Sequence, residues 1–171
     1  MKYLTQFESP VGKLYITADD DGLTGIAFEH ERGSVFPADL NGVEYSDNLP
    51  VFKDTKLWLS LYFFGSIPDF MPKLSLKGTE FCQQVWQIVQ GIPYGRSMSY
   101  GEIARLVAGV RGTKPSPQAV GGAVSKNPVA IIVPCHRVLA VGNGVGGYNG
   151  GIERKKYLLN LEKIYFQERD V

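Results

Sequence analysis

The stretch Asn127-Pro128-Val129-Ala130-Ile131-Ile132-Val133-Pro134-Cys135-His136-Arg137-Val138 delivers a thiol, an imidazole and a guanidinium in succession at the end of an apolar run. A free cysteine is most often an inert core residue. Cys135 instead has two neighbours that favour the thiolate, which is the nucleophilic form. An unperturbed thiol, with a pKa of about 8.5, is only a few per cent ionised at neutral pH, so a nucleophilic role needs such help. Neighbours on an extended segment point to opposite faces, so Cys135 and His136 bond directly only if the backbone turns after Pro134. A proton relay through water serves as well. The group that orients His136 has to come from elsewhere, and Glu162 and Glu153, in a helix expected over residues 152–163, are both candidates.

The elements that would position this chemistry can be read upstream. Residues 79–90 place Phe81, Val85, Ile88 and Val89 on one helical face. After Ile92-Pro93-Tyr94-Gly95, Ser99-Tyr100-Gly101-Glu102 has the form of a capping box, followed by Ile103, Leu106, Val107 and Val110 as a stripe. A Gly/Pro-rich turn over 109–117 carries Arg111 and Lys114 and leads to a second short helix starting near Ser116. Pro117 stands at its first position, where a missing N–H costs nothing. That helix, Gln118 with Ala119, Gly121, Gly122, Ser125 and Lys126, is built from small residues. Glycine costs a helix about 1 kcal/mol relative to alanine, so adjacent Gly121 and Gly122 imply close approach of another backbone. DNA or a second protein helix would each supply one. Two short helices joined by a turn resemble a helix-turn-helix.

The first part of the chain differs. Residues 3–7, 12–17 and 25–28 read as antiparallel strands, with turns at Ser9-Pro10 and at 19–22. Residues 29–48 show little periodicity and read as an irregular connection. A helix over 55–64 presents Leu57, Leu61 and Phe64 on one face and is stopped by Gly65. The expected fold class is α+β: a small antiparallel sheet plus helix in residues 1–72, a linker over 73–78, and a mostly helical domain with a helix-turn-helix in 79–171.

Composition bounds the function. With 171 residues, 44% hydrophobic and 20% charged, the chain is a folded one of one or two small domains. Its apolar runs fall far short of the roughly 20 residues that span a bilayer, and its start lacks a signal core, so no membrane partner is expected. Two cysteines fit the reducing cytoplasm. The net charge of +1 divides into −4 over residues 1–78 (7 Lys/Arg, 11 Asp/Glu) and +5 over 79–171 (11 Lys/Arg, 6 Asp/Glu), which points the second part toward a polyanion.

Pro134-Cys135-His136-Arg137-Val138 resembles the signature of the methylated-DNA–protein-cysteine methyltransferases, the O6-alkylguanine-DNA alkyltransferases. The similarity continues in order through Phe81-x-x-x-Val85-Trp86, Ile92-Pro93-Tyr94-Gly95, Ser99-Tyr100-Gly101-Glu102-Ile103-Ala104, Ala119-Val120-Gly121, Asn127-Pro128, Gly147-Tyr148-x-Gly150-Gly151 and Lys155-x-x-Leu158-Leu159. The first part matches in type only, as the ribonuclease-H-like domain that precedes a winged-helix-like domain in the family. The resemblance implies direct-reversal repair: an O6-alkylated guanine in double-stranded DNA is flipped out, and Cys135 takes the alkyl group irreversibly, once per molecule. O4-alkylthymine is left open as a second substrate. No cofactor is implied, and the protein would act as a monomer.

By the same resemblance, Glu162 orients His136, which deprotonates Cys135 through water. Asn127 braces the turn, and Tyr100 donates to guanine N3 as charge develops there. Pro134, Val138, Tyr148 and Asn149 line the guanine site, with the Asn149 amide donating toward O6. DNA is met by Gln118, Ala119, Gly121, Gly122, Ser125, Lys126 and Arg137. The family's usual arginine before Ala-Val-Gly is replaced by Gln118, and the span from Tyr100 to Gln118 is longer than in the human member. Arg111 or Lys114 would supply the missing phosphate or gap contact. Some relatives hold zinc, but here only His30 precedes residue 79, and four ligands cannot be assembled without Cys135 and His136, so no metal is expected. The competing classes are a cysteine hydrolase, which would turn over, and DNA-binding proteins without chemistry, for which Cys135 has no use.

Overall fold

The computed structural model describes residues 1–31 and 41–168. Strands β1 (Lys2–Ser9) and β2 (Gly12–Asp19) pair antiparallel from Lys2↔Asp19 to Ser9↔Gly12. The reversal between them is held by the Ser9 hydroxyl, which donates to the Gly12 carbonyl and accepts from Val11 N–H. β3 (Leu23–Phe28) continues antiparallel on β2. The turn before it is organised by Asp19, whose carboxylate accepts from the Asp21 and Gly22 N–H groups, from Ser75 and from Lys77. These donors, Lys77 foremost, hold the Asp19 carboxyl at a pKa of about 2.

A fourth strand, β4 (Val43–Tyr45), pairs parallel to β1, giving the order β3-β2-β1-β4. It lies within the stretch expected to be irregular, which therefore contains regular structure; residues 32–40 of that stretch lie outside the described residues. Three residues with no alternating pattern give little local signal, and the pairing partner is remote in sequence. The outer edge of β3 is covered from two directions. Leu23 exchanges backbone hydrogen bonds with Lys73 and Ser75, within the segment expected as a linker, and Ile26 does so with Pro128 and Ala130.

Helix α1 (Pro50–Phe63) starts five residues earlier than expected, with Pro50 in its first turn. Its buried face is Phe52, Thr55, Trp58, Leu59 and Tyr62, with Trp58 stacked on Tyr62 at 5.4 Å. The face expected to be core is the outer one: Leu57 is 54% exposed and Phe64 88%. Phe52, in the first turn opened by Pro50, sets the phase of the buried face, and the pattern over 55–64 does not include it.

The chain forms two compact units, Met1–Lys77 with Pro128–Ala130, and Gly78–Asn127 with Ile131–Val171. The second contains α2 (Glu80–Gln90), α3 (Tyr100–Arg111), α4 (Pro117–Ser125) and α5 (Ile152–Leu161), plus two-residue strands β5 (Met98–Ser99) and β6 (Val138–Leu139). The Ser99/Glu102 capping box is present at the start of α3. Of the expected apolar stripes, Val85 and Val89 on α2 and Ile103 and Val107 on α3 are buried, joined by Cys82, Trp86 and Ala104. Leu106 and Val110 are instead 49% and 68% exposed. The arc of α3 that meets its neighbours is narrower than its apolar arc. Trp86 links α2 to α4 by donating from its indole N–H to the Ala123 carbonyl at 2.9 Å. The fold class is α+β, as expected. Among the described residues no helix is long and apolar enough to cross a membrane.

Candidate active site

The apolar run before Cys135 is buried throughout, yet it does not form a strand. Ile131 takes a left-handed φ of 71°, a costly conformation for a β-branched residue. At Pro134 (φ −82°, ψ 62°) the chain reverses in an inverse γ-turn, closed by Cys135 N–H on the Val133 carbonyl at 2.8 Å. A 3-10 turn over Cys135–Arg137 follows, closed by Arg137 N–H on the Pro134 carbonyl at 2.9 Å. The backbone therefore does turn beside Pro134. The Asn127 side chain donates to the Val133 carbonyl at 2.8 Å and so ties the end of α4 to this turn.

The turn sends its three side chains different ways. Cys135 stays partly open to solvent, whereas His136 and Arg137 are buried. His136 Nε2 lies 2.5 Å from Glu162 Oε2, and Arg137 Nε lies 2.7 Å from Glu162 Oε1. Gly95 N–H adds a third donor to the same carboxylate at 3.2 Å. Of the two acids considered for His136, Glu162, at the C-terminal end of α5, occupies the position; Glu153 is exposed and faces Lys156 at 3.7 Å.

Arg137 requires a correction. Expected on the DNA face, it is 8% exposed, donates to the Ile92 carbonyl at 2.7 Å and stacks over the Tyr94 ring at 5.7 Å. A residue beside a nucleophile in a basic domain invites a phosphate role, but a buried carboxylate needs a buried cation. The Ile92-Pro93-Tyr94-Gly95 motif thereby supplies three contacts to this ion cluster, a role its composition did not suggest.

Burial dominates the electrostatics. It pushes the His136 imidazole below its ordinary pKa, against the opposing pull of Glu162. It raises the Tyr100 phenol, with the nearby Cys135 adding in the same direction. It brings Lys155 down to about 8. Tyr100 is placed beside the turn by the parallel pairing of β5 with β6, in which Met98 faces Val138 and Ser99 faces Leu139. Lys155, prominent here, had stood out in the sequence only as one letter of a motif. It is fully buried, and the signal available in the sequence was its place on one helical face with Leu158 and Leu159, at i, i+3 and i+4.

The other expected positions divide. Tyr148 is half-buried, and its carbonyl accepts from Gly151 N–H at 3.0 Å, at the entry to α5. Asn149 donates its side-chain amide to the Ser125 carbonyl at the end of α4, which takes that amide away from the O6 role expected of it. On α4, Gln118, Ala119, Gly122, Ser125 and Lys126 are exposed and Gly121 half-buried. A Cβ at Gly121 would touch only the Tyr100 ring, at 3.9 Å, and one at Gly122 would meet nothing within 4 Å among the described residues. Among the described residues no helix backbone lies within 4 Å of a Cβ at either glycine, so close approach of a second protein backbone does not explain them. Arg111 lies over the Phe81 ring at 5.4 Å and donates to Gln84 at 3.1 Å, so it turns to α2; Lys114 is exposed. Among the described residues no group of three or more His, Cys, Asp or Glu side chains could hold a metal ion.

Two family models match the chain: 6-O-methylguanine DNA methyltransferase, ribonuclease-like domain, over residues 2–76, and 6-O-methylguanine DNA methyltransferase, DNA binding domain, over residues 80–164. The chain is 39% identical to a methylated-DNA–protein-cysteine methyltransferase of Haemophilus influenzae, across 98% of this chain and 89% of the relative. It is 37% identical to the constitutive methylated-DNA–protein-cysteine methyltransferase of Bacillus subtilis, across 99% and 100%. Among solved structures it is similar to Mycobacterium tuberculosis OGT in complex with DNA, with a TM-score of 0.82 and 36% identity over 94% of this chain and 92% of that one.

Proposed function

Because the chain belongs to the O6-methylguanine DNA methyltransferase family, we propose that it repairs DNA by direct reversal, moving an alkyl group from O6 of guanine to the sulfur of Cys135. The observation that carries this reading is the turn that leaves Cys135 accessible while the adjacent His136 is buried on Glu162. With Nε2 committed to the carboxylate, the imidazole keeps its lone pair on Nδ1, on the side from which it can take a proton.

The thiol proton passes through water to His136. The thiolate attacks the alkyl carbon, a carbon–sulfur bond forms, and the bond from that carbon to O6 breaks with its electron pair going to guanine. Tyr100 donates toward guanine N3 as that charge develops, and its burial keeps the phenol protonated for the task. Guanine is restored and Cys135 becomes a thioether. A thioether has no good leaving group, so each molecule acts once.

To reach the sulfur, the base leaves the duplex, at a cost that is smallest for a damaged pair. α4 is the element suited to enter a groove: its glycine face is open, and its exposed residues are small or polar. Asn127 holds the turn in place, and the backbone at Pro134, Val138 and Tyr148 borders the base. Action as a monomer in the cytoplasm belongs to the same reading.

Intact-mass spectrometry after incubation with duplex DNA carrying O6-methylguanine tests it. The protein should gain one methylene on the peptide containing Cys135, and Cys135→Ser should gain none. Reduced, folded protein that shows no gain would refute the reading, and repeated turnover on a simple ester would point to a hydrolase.

A further inference from the structure

Lys155 lies on α5, two helical turns before Glu162, so the two side chains leave the same face of the helix. It is fully buried, and its Nζ donates to the Val138 carbonyl at 2.7 Å and to the Gly147 carbonyl at 3.2 Å. Val138 directly follows the turn carrying Cys135, and Gly147 directly precedes Tyr148. One ammonium therefore joins the two backbone segments assigned above to the guanine pocket. Gly146 also borders it: a Cβ there would make ordinary contact with Nζ, at 3.7 Å.

Burying an ammonium costs several kcal/mol unless it is repaid, and two neutral carbonyls repay only part. The remaining tie is to the turn itself: Val138, whose carbonyl takes the ammonium, donates its N–H to the Cys135 carbonyl, and the lysine is close enough to Cys135 for the two to interact in the sense that keeps it protonated. Such an interaction is mutual, so the same cation favours the thiolate. The turn also brings His136 and Arg137 into this environment, and the start of α3 brings Tyr100. Arg137 is committed to Glu162, as is His136, which is held toward its neutral form. Lys155 is thus a buried cation whose charge is not already taken by the carboxylate.

We propose that Lys155 is a positioning residue of the transfer reaction, cross-linking the Val138 and Gly147 carbonyls to fix the pocket and holding a positive charge that maintains Cys135 as thiolate. The proposal rests on Cys135 being the acceptor, and its charge role is tested without DNA so that the two can fail separately.

The rate of Cys135 alkylation by iodoacetamide, followed by peptide mapping between about pH 5 and 9, reports the thiolate directly. Lys155→Met should raise the midpoint by about one pH unit and lower the rate at pH 7 about tenfold. Lys155→Arg keeps the charge and should hold the midpoint, while methyl transfer from DNA slows because the larger head displaces the two carbonyls. An unchanged midpoint in folded Lys155→Met overturns the charge role, and undiminished methyl transfer in Lys155→Arg overturns the positioning role. Should Lys155→Met not fold, the wild-type protein answers the first question. The Lys155 side-chain resonance, titrated before and after S-methylation of Cys135 with methyl iodide, should show a lower midpoint once the thiolate is gone; identical midpoints overturn the coupling.

Discussion

His136 Nε2 and Glu162 Oε2 stand 2.5 Å apart with both side chains withdrawn from solvent, and the same carboxylate also receives Arg137. One acid thus fixes the tautomer of the imidazole and balances a buried guanidinium. The arrangement leaves little latitude. The imidazole is pushed toward neutrality by burial and pulled back by Glu162, and a neutral ring with its lone pair on Nδ1 is the form that can accept a proton.

Glu162→Gln keeps the shape of the side chain but removes the charge facing Arg137. A buried ion pair broken by loss of one partner costs about 3–5 kcal/mol. Denaturant unfolding should show a loss of that size, and alkyl transfer should fall with it because the amide offers one acceptor oxygen where the carboxylate offered one each to His136 and Arg137. A loss below about 1 kcal/mol, the range of an exposed pair, would mean that the cluster is not the buried one described.

His136 also sets a pH limit on stability. Its folded pKa is lowered, so as pH falls the unfolded chain takes up the proton first. The stability associated with the neutral buried ring is present above the unfolded value of about 6.5 and is lost progressively below it. Thermal unfolding between about pH 7 and 5 should show the wild-type midpoint falling more steeply than that of His136→Gln. Parallel curves for the two proteins would contradict the assignment.

What could be read without coordinates was what is local. The hairpin of β1 and β2, the Ser99/Glu102 capping box and the Pro117 start of α4 all follow from residues a few positions apart. What could not be read depends on remote partners. β4 and the β5–β6 pair are three and two residues long and exist because of a distant strand. Residue type alone left two acids open to His136; the family resemblance pointed to Glu162, and Glu162 is the buried one. Arg137 was misplaced on the DNA face for a related reason: a carboxylate far along the chain decides where its guanidinium goes. Leu57 and Phe64 face outward because Phe52, beyond the apolar pattern of 55–64, sets the phase of the helix.

Gly122 separates protein stability from DNA binding. A Cβ there meets nothing within 4 Å among the described residues, and alanine favours a helix over glycine by about 1 kcal/mol. Gly122→Ala should therefore stabilise the fold by up to about that amount in denaturant unfolding. It should also weaken binding to duplex DNA, because the added methyl group would stand on the face of α4 proposed to meet the nucleic acid. Unchanged affinity would show that this face of α4 does not meet DNA.

With Gln118 in place of an arginine, the proposed phosphate contacts fall to other cations, and Arg111, at the end of α3, and Lys114, in the turn after it, are not equivalent. Arg111 is held on Phe81 and Gln84, whereas Lys114 is exposed. Lys114→Ala should lower DNA affinity and reduce the slope of log affinity against log salt by about one ion. Arg111→Ala should leave that slope alone and cost at most about 1 kcal/mol of stability through the lost ring contact. Gln118→Arg should tighten binding and steepen the slope by about one ion. Fluorescence anisotropy over a salt series measures all three. A slope that drops for Arg111→Ala and not for Lys114→Ala would reverse the assignment and mean that Arg111 leaves Phe81 when DNA binds.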